Sequence, residues 1–358
     1  LLELFPADGN LRVQIARVYV ALGETESARL ELEKARQFDE NLTDDAIADI
    51  LAALTAKPSR WQFSGRISAG VLFYDNANQG PNSNYLTLGD FKDLYVEDVK
   101  KTSSVGNYLM AHLEAGYQLD EGGRWWGMGS IMGYQRWNHS GGVTSNKGYT
   151  MGRGTAGLRY LGEQSLFDVR FKADVANQHH KGAEDQDIHS YVPEFTFVIA
   201  PDSWLQLITV VSLEERDYSV STMRDGFYWS ATEYGRFFIG ESNHEIMLGL
   251  GFSGNDADLY EYRYFAIEPS LRFVFKLPGD VNFMPFVSFR REDYKGPATG
   301  LEIENRLDKQ WRAGAMVTWD ISDSFMLDWS YQYVDNQSNS ALYDYVQNYV
   351  SMGLTWKF

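Results

Sequence analysis

From Trp61 onward, apolar and polar residues alternate almost one for one. In WQFSGRISAGVLFYD, Trp61, Phe63, Ile67, Ala69, Val71 and Phe73 fall on one side, and Gln62, Ser64, Arg66 and Ser68 on the other. YLMAHLEAGYQL repeats the pattern, setting Leu109, Ala111, Leu113, Ala115 and Tyr117 against His112 and Glu114. LFDVRFKADVANQ carries it furthest, with Phe167, Val169, Phe171, Ala173 and Val175 alternating with Asp168, Arg170, Lys172 and Asp174. Side chains of a strand point alternately to its two faces, so each segment predicts a strand with one apolar and one wet face. A run of charges on one face does not fit a sheet packed dry on both sides.

Segments of this kind start near Trp61, Tyr108, Trp125, Tyr149, Leu166, Tyr191, Trp204, Phe227, His244, Tyr262, Val281, Trp311, Phe325 and Val346. The connections alternate as well. DEGGR, GEQS, PDS, GESN, LPGD and ISDS are tight, whereas DNANQGPNSNYLTLGDFKDLYVEDVKKTSS, HHKGAEDQDIH and YKGPATGLEIENR are long and polar. Tight turns at one end and long loops at the other are the pattern of an outer-membrane barrel. The expected fold is an all-β transmembrane antiparallel barrel of about fourteen strands over residues 59–358. The segment NYVSMGLTWKF alternates up to Phe358, as the strand that closes such a barrel against the first one must.

Residues 1–58 read at a helical period instead. In NLRVQIARVYVALGETESARLELEKARQF, Ile15, Ala16, Tyr19 and Leu22 precede a break at Gly23, and Ala28, Leu32 and Ala35 follow it. Small or apolar residues at these places let two antiparallel helices pack closely. A third helix is expected over TDDAIADILAAL, with Thr43 as its N-cap. LLELFPADGN lacks the charged start and cleavage site of a signal peptide and reads as a mature or trimmed chain.

Composition narrows the function classes. The 358 residues carry a net charge of −17, and no basic field is available for nucleic acid. There are no cysteines, so neither disulfides nor thiol chemistry enter. Aromatic residues reach 15%, with 22 Tyr and 10 Trp. Rings at both ends of the segments, among them Trp61, Trp126, Trp204 and Trp356 at the tight-turn end and Tyr74, Tyr191, Tyr228 and Tyr333 at the loop end, read as two interfacial belts.

Catalytic or metal-binding sets are not expected. His179, His180 and His189 with Glu184, Asp185 and Asp187 fall in one polar loop, where neighbouring histidines on an extended chain point apart. DNANQGPNSN lacks calcium-loop spacing, SGGVTSNKG lacks a phosphate loop, and no nucleophile elbow occurs. No cofactor is implied. The wet strand faces are more informative. Arg66, His112, Glu114, Arg159, Asp168, Arg170, Lys172, Asp174, Glu268, Arg272 and Arg312 should point into the lumen, where mixed signs suggest ion pairs rather than a single-sign filter. In the first long loop, Phe91, Leu94, Tyr95 and Val99 recur at helical spacing, which fits either a short amphipathic helix acting as a lid or a simple solvated loop.

Two resemblances build on these residues. Ile15, Ala16, Tyr19, Ala28 and Ala35 match the packing pattern of a tetratricopeptide repeat, while Arg12 and Glu40 depart from its usual Trp and Pro. Repeat register places Val13, Arg17 and Val20 on the concave side that binds partners in that family. Joined to a barrel whose first strand leads into GVLFYDNANQ, the layout resembles the surface lipoprotein assembly modulators, called Slam proteins. The resemblance implies translocation of surface lipoproteins or secreted proteins across the outer membrane of a Gram-negative cell. Its helical segment would sit in the periplasm and recruit protein cargo or a chaperone. VSMGLTWKF, with Leu354, Trp356 and Phe358, resembles the terminal signal read by the barrel-insertion machinery. Exopolysaccharide exporters share the repeat-plus-barrel layout, and a passive porin is the third reading. Lipids of the outer membrane are partners in every case.

Overall fold

The computed structural model describes residues 9–21, 25–38, 47–48, 50, 60–96, 99–139, 148–179, 186–219, 222–240 and 244–358. Two compact units result, Leu1–Arg60 and Trp61–Phe358.

In the first unit, α1 (Gly9–Ala21) and α2 (Thr25–Phe38) pack along a stripe of small and branched side chains. Val13, Ala16, Ala28, Leu32, Ala35, Ile47 and Ile50 are buried together, with Tyr19 against them. Ala16, Ala28 and Ala35 are fully buried in this contact, where their small side chains let the helices approach. Arg12 reaches into the same contact and meets Glu31 at 2.7 Å. Of the expected third helix, only Ile47, Ala48 and Ile50 fall within the described residues.

The second unit is built from β1 (Trp61–Tyr74), β2 (Tyr85–Leu88), β3 (Phe91–Tyr95), β4 (Ser104–Gln118), β5 (Trp125–Asn138), β6 (Gly148–Leu161), β7 (Ser165–His179), β8 (Gln186–Asp202), β9 (Leu205–Tyr218), β10 (Gly226–Ile239), β11 (His244–Ala257), β12 (Tyr264–Leu277), β13 (Val281–Tyr294), β14 (Leu307–Asp320), β15 (Phe325–Ser338) and β16 (Tyr345–Lys357). All but β2 and β3 form one closed barrel. Each strand pairs antiparallel with its sequence neighbour, and β1 closes the ring between β4 and β16. β2 and β3 make a separate hairpin within the first long loop.

Closure removes the free edges that an open sheet of this size would leave. It is completed at the last residue, where the Gly65 N–H donates to the Phe358 carbonyl at 2.8 Å and the Phe358 N–H returns the bond at 3.0 Å. A side chain at position 65 would collide with the Phe358 ring, so the missing Cβ is the space that ring occupies.

A strand of 14 residues such as β1 at about 3.3 Å per residue, tilted near 40°, rises roughly 35 Å, more than a hydrocarbon band of about 25 Å requires. Register assigns the faces. Ile67 lies opposite Ala111, Leu113 opposite Ile131, and Leu158 opposite Val169, all facing outward. Arg66 lies opposite His112, Arg159 opposite Asp168, and Arg153 opposite Asp174, all facing inward. Outward side chains have no protein over them: Phe63 is 74% and Ile131 62% exposed. The apolar surface is therefore outside, and the polar surface within.

Candidate functional site

The inward face is a lattice of ion pairs across neighbouring strands. Asp168, only 4% exposed, accepts from two guanidiniums: Arg159 Nε at 2.9 Å and Arg170 Nε at 2.9 Å. Glu114 lies 3.7 Å from the terminal Arg170 nitrogen that also donates to Asp168 at 3.0 Å. Arg153 Nε donates to Asp174 at 2.6 Å, and Lys172 pairs with Glu194. These groups come from β4, β6, β7 and β8, so the pairs tie four strands together.

A second cluster lies on β12, β13 and β14. Arg290 bridges Glu268 at 3.1 Å and Glu292 at 2.6 Å, and Arg312 approaches Glu268 at 3.7 Å. Arg306 is held by Asp308 and sits between the rings of Tyr294 and Tyr343, its carbon 4.3 Å and 3.3 Å from their centroids. Guanidinium planes stack favourably on aromatic faces. Arg66 and Arg272 also face inward but meet no carboxylate among the described residues. Across the described strands, inward basic groups slightly outnumber inward acidic ones.

Several tyrosines line the same interior towards the loop end. Tyr74 lies 4.8 Å from Tyr349, and Tyr134 lies 5.9 Å from Tyr149. Arg136 stands over Tyr74 and Tyr149. The belt reading of Tyr74 is thereby corrected, because register turns it inward. Tyr228 faces inward too, with Arg216 over its ring at 4.1 Å, and Trp126 shares the inward face with Arg159. Trp61, Trp204, Trp356, Tyr191 and Tyr333 remain on outward positions or at the rim.

The mouth at the loop end is occupied by the first long loop. Asn76 is 1% exposed; its side-chain amide donates to the carbonyls of Gly80 at 2.8 Å and Val346 at 3.0 Å, and its oxygen accepts the Gly80 N–H. Gln347 donates to the Asn76 carbonyl, and the Asp75 carboxylate accepts the Asn348 backbone and side-chain N–H groups at 2.6 and 2.7 Å. The loop is thus latched to β16 at its start. Its further course forms a polar cavity of about 560 Å³ against the lumen wall, lined by Asn78, Gly80, Pro81, Arg306, Arg312 and Tyr345 among others.

The segment expected to form a helical lid is a strand hairpin, which corrects the expected helix. Tyr85 pairs with Tyr95 and Leu86 with Leu94, around a turn at Gly89 and Asp90. Gly89 adopts φ +58°, and a Cβ there would strike the Leu301 carbonyl of the β13–β14 loop. Phe91 and Tyr95 are exposed, whereas Leu86 and Leu88 are buried beneath the hairpin. Val99 lies beyond β3, where its carbonyl accepts from Asn78.

In the helical unit, Val13 is buried at the helix contact, 5% exposed, and does not face a groove. It lies three residues before Ala16 and hence on the same stripe. Arg17 is half-buried, and the side chain of Val20 lies outside the described residues. In this unit, the exposed large apolar side chains among the described residues are Val18 and Leu30, which the repeat register did not single out. Among the described residues no group of histidine and carboxylate side chains could hold a metal. The histidine loop is shorter than expected, because β7 runs to His179 and β8 starts at Gln186; His180, Glu184 and Asp185 lie outside the described residues, and His189 points outward, opposite Asp217.

One outward position breaks the apolar face. Glu233, midway along β10 between Trp229 and Phe237, is exposed and accepts from the Thr209 hydroxyl. The alternating pattern marks it, because Glu233 falls at the apolar parity of Phe227, Trp229 and Phe237, and the sequence reading did not single it out.

A closed ring with an apolar exterior and a charge-paired interior is a membrane-spanning β-barrel. No protein-family profile matches the chain, and no curated protein matches it. Among solved structures, it is similar to OmpTdeltaL8, a loop-deletion mutant of the outer membrane protein OmpT of Vibrio cholerae, with 8% identity over 83% of this chain and 99% of that one, at a TM-score of 0.48. The outer membrane channel DcaP of Acinetobacter baumannii is 11% identical over 83% of this chain and 97% of that one, at 0.45. A bacterial polysaccharide outer membrane secretin is 13% identical over 83% and 98%, at 0.41.

Proposed function

We propose that the chain is an outer-membrane translocator that passes substrate proteins, surface lipoproteins or secreted proteins, from the periplasm to the cell surface. The observation that carries this reading is the pairing of an alanine-packed, repeat-like helix pair with a fourteen-stranded barrel in one chain. A passive pore has no use for a helical unit. A translocator uses one to recruit cargo or a chaperone, and exposed Val18 and Leu30 supply apolar contact for an extended chain. Leu354, Trp356 and Phe358, outward on the closing strand, are the residues offered to the insertion machinery. Transport is gated by the latched first loop, with the β2–β3 hairpin in the role of the lid.

A second reading, export of a polysaccharide, is favoured by the inward tyrosines Tyr74, Tyr134, Tyr149 and Tyr349, because aromatic faces stack on sugar rings. The two readings separate in cells lacking the chain. Protease shaving of intact cells should show a defined set of lipoproteins lost from the surface while their total amounts persist. Loss of extracellular polysaccharide with unchanged surface proteins would replace the first reading by the second.

A further inference from the structure

Deeper in the lumen than the loop cavity is a second one, of about 330 Å³, bounded by Tyr234, Met247, Arg272, Phe286, Ser288 and Arg312, with Glu268, Ser270 and Gln332 at its edge. Its charge is unbalanced. Glu268 is the carboxylate that lines it, and one of its oxygens already accepts from Arg290 at 3.1 Å. The other lies 3.7 Å from Arg312, an ion pair without a close hydrogen bond. Arg312 donates its Nε to Gln310, has no other close hydrogen bond among the described residues, and lines the cavity. Arg272 makes no hydrogen bond or ion pair among the described residues. Arg290 and Arg312 therefore draw on Glu268 and Glu292, and Arg272 is left without a carboxylate among the described residues.

Register brings the two underused arginines together. Arg272 on β12 lies opposite Phe286 on β13, and Phe286 lies opposite Gly314 on β14. The Phe286 ring packs into the space that a Cβ at Gly314 would take, which leaves an apolar floor. One step along, Ser270, Ser288 and Arg312 form the next row across the same strands. Strands two apart are separated by about 10 Å, and two arginine side chains span that gap onto one anion. Both charges are arginine forks, whose planar donor pairs match a carboxylate. Phe286, Met247 and the ring of Tyr234 favour an apolar body behind that carboxylate, which a fully hydrated phosphate lacks.

We propose that this cavity is a binding seat for a carboxylate carried on a small apolar body, gripped by Arg272 and Arg312 and resting on Phe286. The seat is independent of the cargo assigned above. Such a seat in a lumen holds its ligand long enough to select it and loosely enough to release it.

The test is calorimetric titration of the full chain, purified in detergent, with benzoate and with benzamide, its neutral counterpart of nearly the same shape. Saturable binding of benzoate, absent or about tenfold weaker for benzamide, is expected. Arg272→Gln and Arg312→Gln should each weaken benzoate binding about tenfold while the barrel keeps its heat-modifiable migration. Equal heats for the two ligands, no heat with benzoate, or a double variant that binds benzoate like the wild type would each overturn the seat. Should a variant fail to fold, the comparison of benzoate with benzamide on the wild-type chain still decides.

Discussion

At the scale of single residues, energy concentrates where a charge has more than one partner. Asp168 is nearly buried and receives both Arg159 and Arg170. Removing its charge leaves two guanidiniums facing each other, so Asp168→Ala should destabilise the barrel by about 3 kcal/mol, far more than breaking an exposed pair such as Arg291–Asp293. The midpoint of urea unfolding in lipid vesicles measures both. Glu233 works in the opposite direction. A carboxylate at the centre of the lipid face costs free energy, so Glu233→Leu should stabilise the barrel by about 1–2 kcal/mol in the same measurement. A loss of stability there would show that Glu233 has a partner in the membrane. Residue parity alone puts Glu233 on the apolar face beside Trp229 and Phe237, whereas the weight of Asp168 is not legible in the residues. Asp168 reads as one charge in a row of four until register sets Arg159 opposite it.

At the scale of elements, alternation located the barrel strands because every apolar position had to meet lipid and every polar one the lumen. It located their ends poorly where side-chain contrast fades. β4 begins at Ser104 rather than Tyr108, through Ser104 and Gly106, and β8 begins at Gln186, through Asp187 and His189. The lid shows why short segments mislead. Phe91, Leu94 and Tyr95 fit a helical period, yet five residues cannot separate a period of 3.6 from one of 2, and the positive φ of Gly89 decides for a hairpin. The latch at Asn76 was illegible for another reason, since its partners Val346 and Gln347 arrive only when β16 closes on β1. Asn76→Ala strands the Gly80 N–H and the Val346 carbonyl, at about 1–3 kcal/mol. Hydrogen exchange over residues 75–81 should rise at least severalfold while β4 to β15 stay protected. Deletion of the β2–β3 hairpin should raise single-channel conductance, and unchanged conductance would remove its role as a lid.

At the scale of the whole molecule, two units with different physics share one chain. The barrel's stability rests on lipid, closure and paired charges. The helical unit rests on a small alanine-lined contact and one buried ion pair. Burial pulls the Glu31 carboxyl upward, but hydrogen bonds from Lys34 and Arg12 outweigh it and hold the group below its ordinary value. A carboxyl depressed by folding adds stability above its unfolded pKa of about 4.3, and that stability fades as pH falls through the lower folded value. Helical signal at 222 nm from the full chain should therefore hold from pH 7 to about pH 5 and fall below about pH 4, with Glu31→Gln lacking that acid step. The proposed translocation is tested inside the barrel. A photo-crosslinking side chain placed in cells at Ser130, inward on β5 and outside the ion pairs, with its outward neighbour Ile131 as control, samples that interior directly. Translocation requires Ser130 to capture a discrete polypeptide that Ile131 does not. Capture of glycan alone at Ser130, or of nothing at either position in a correctly folded barrel, would contradict it.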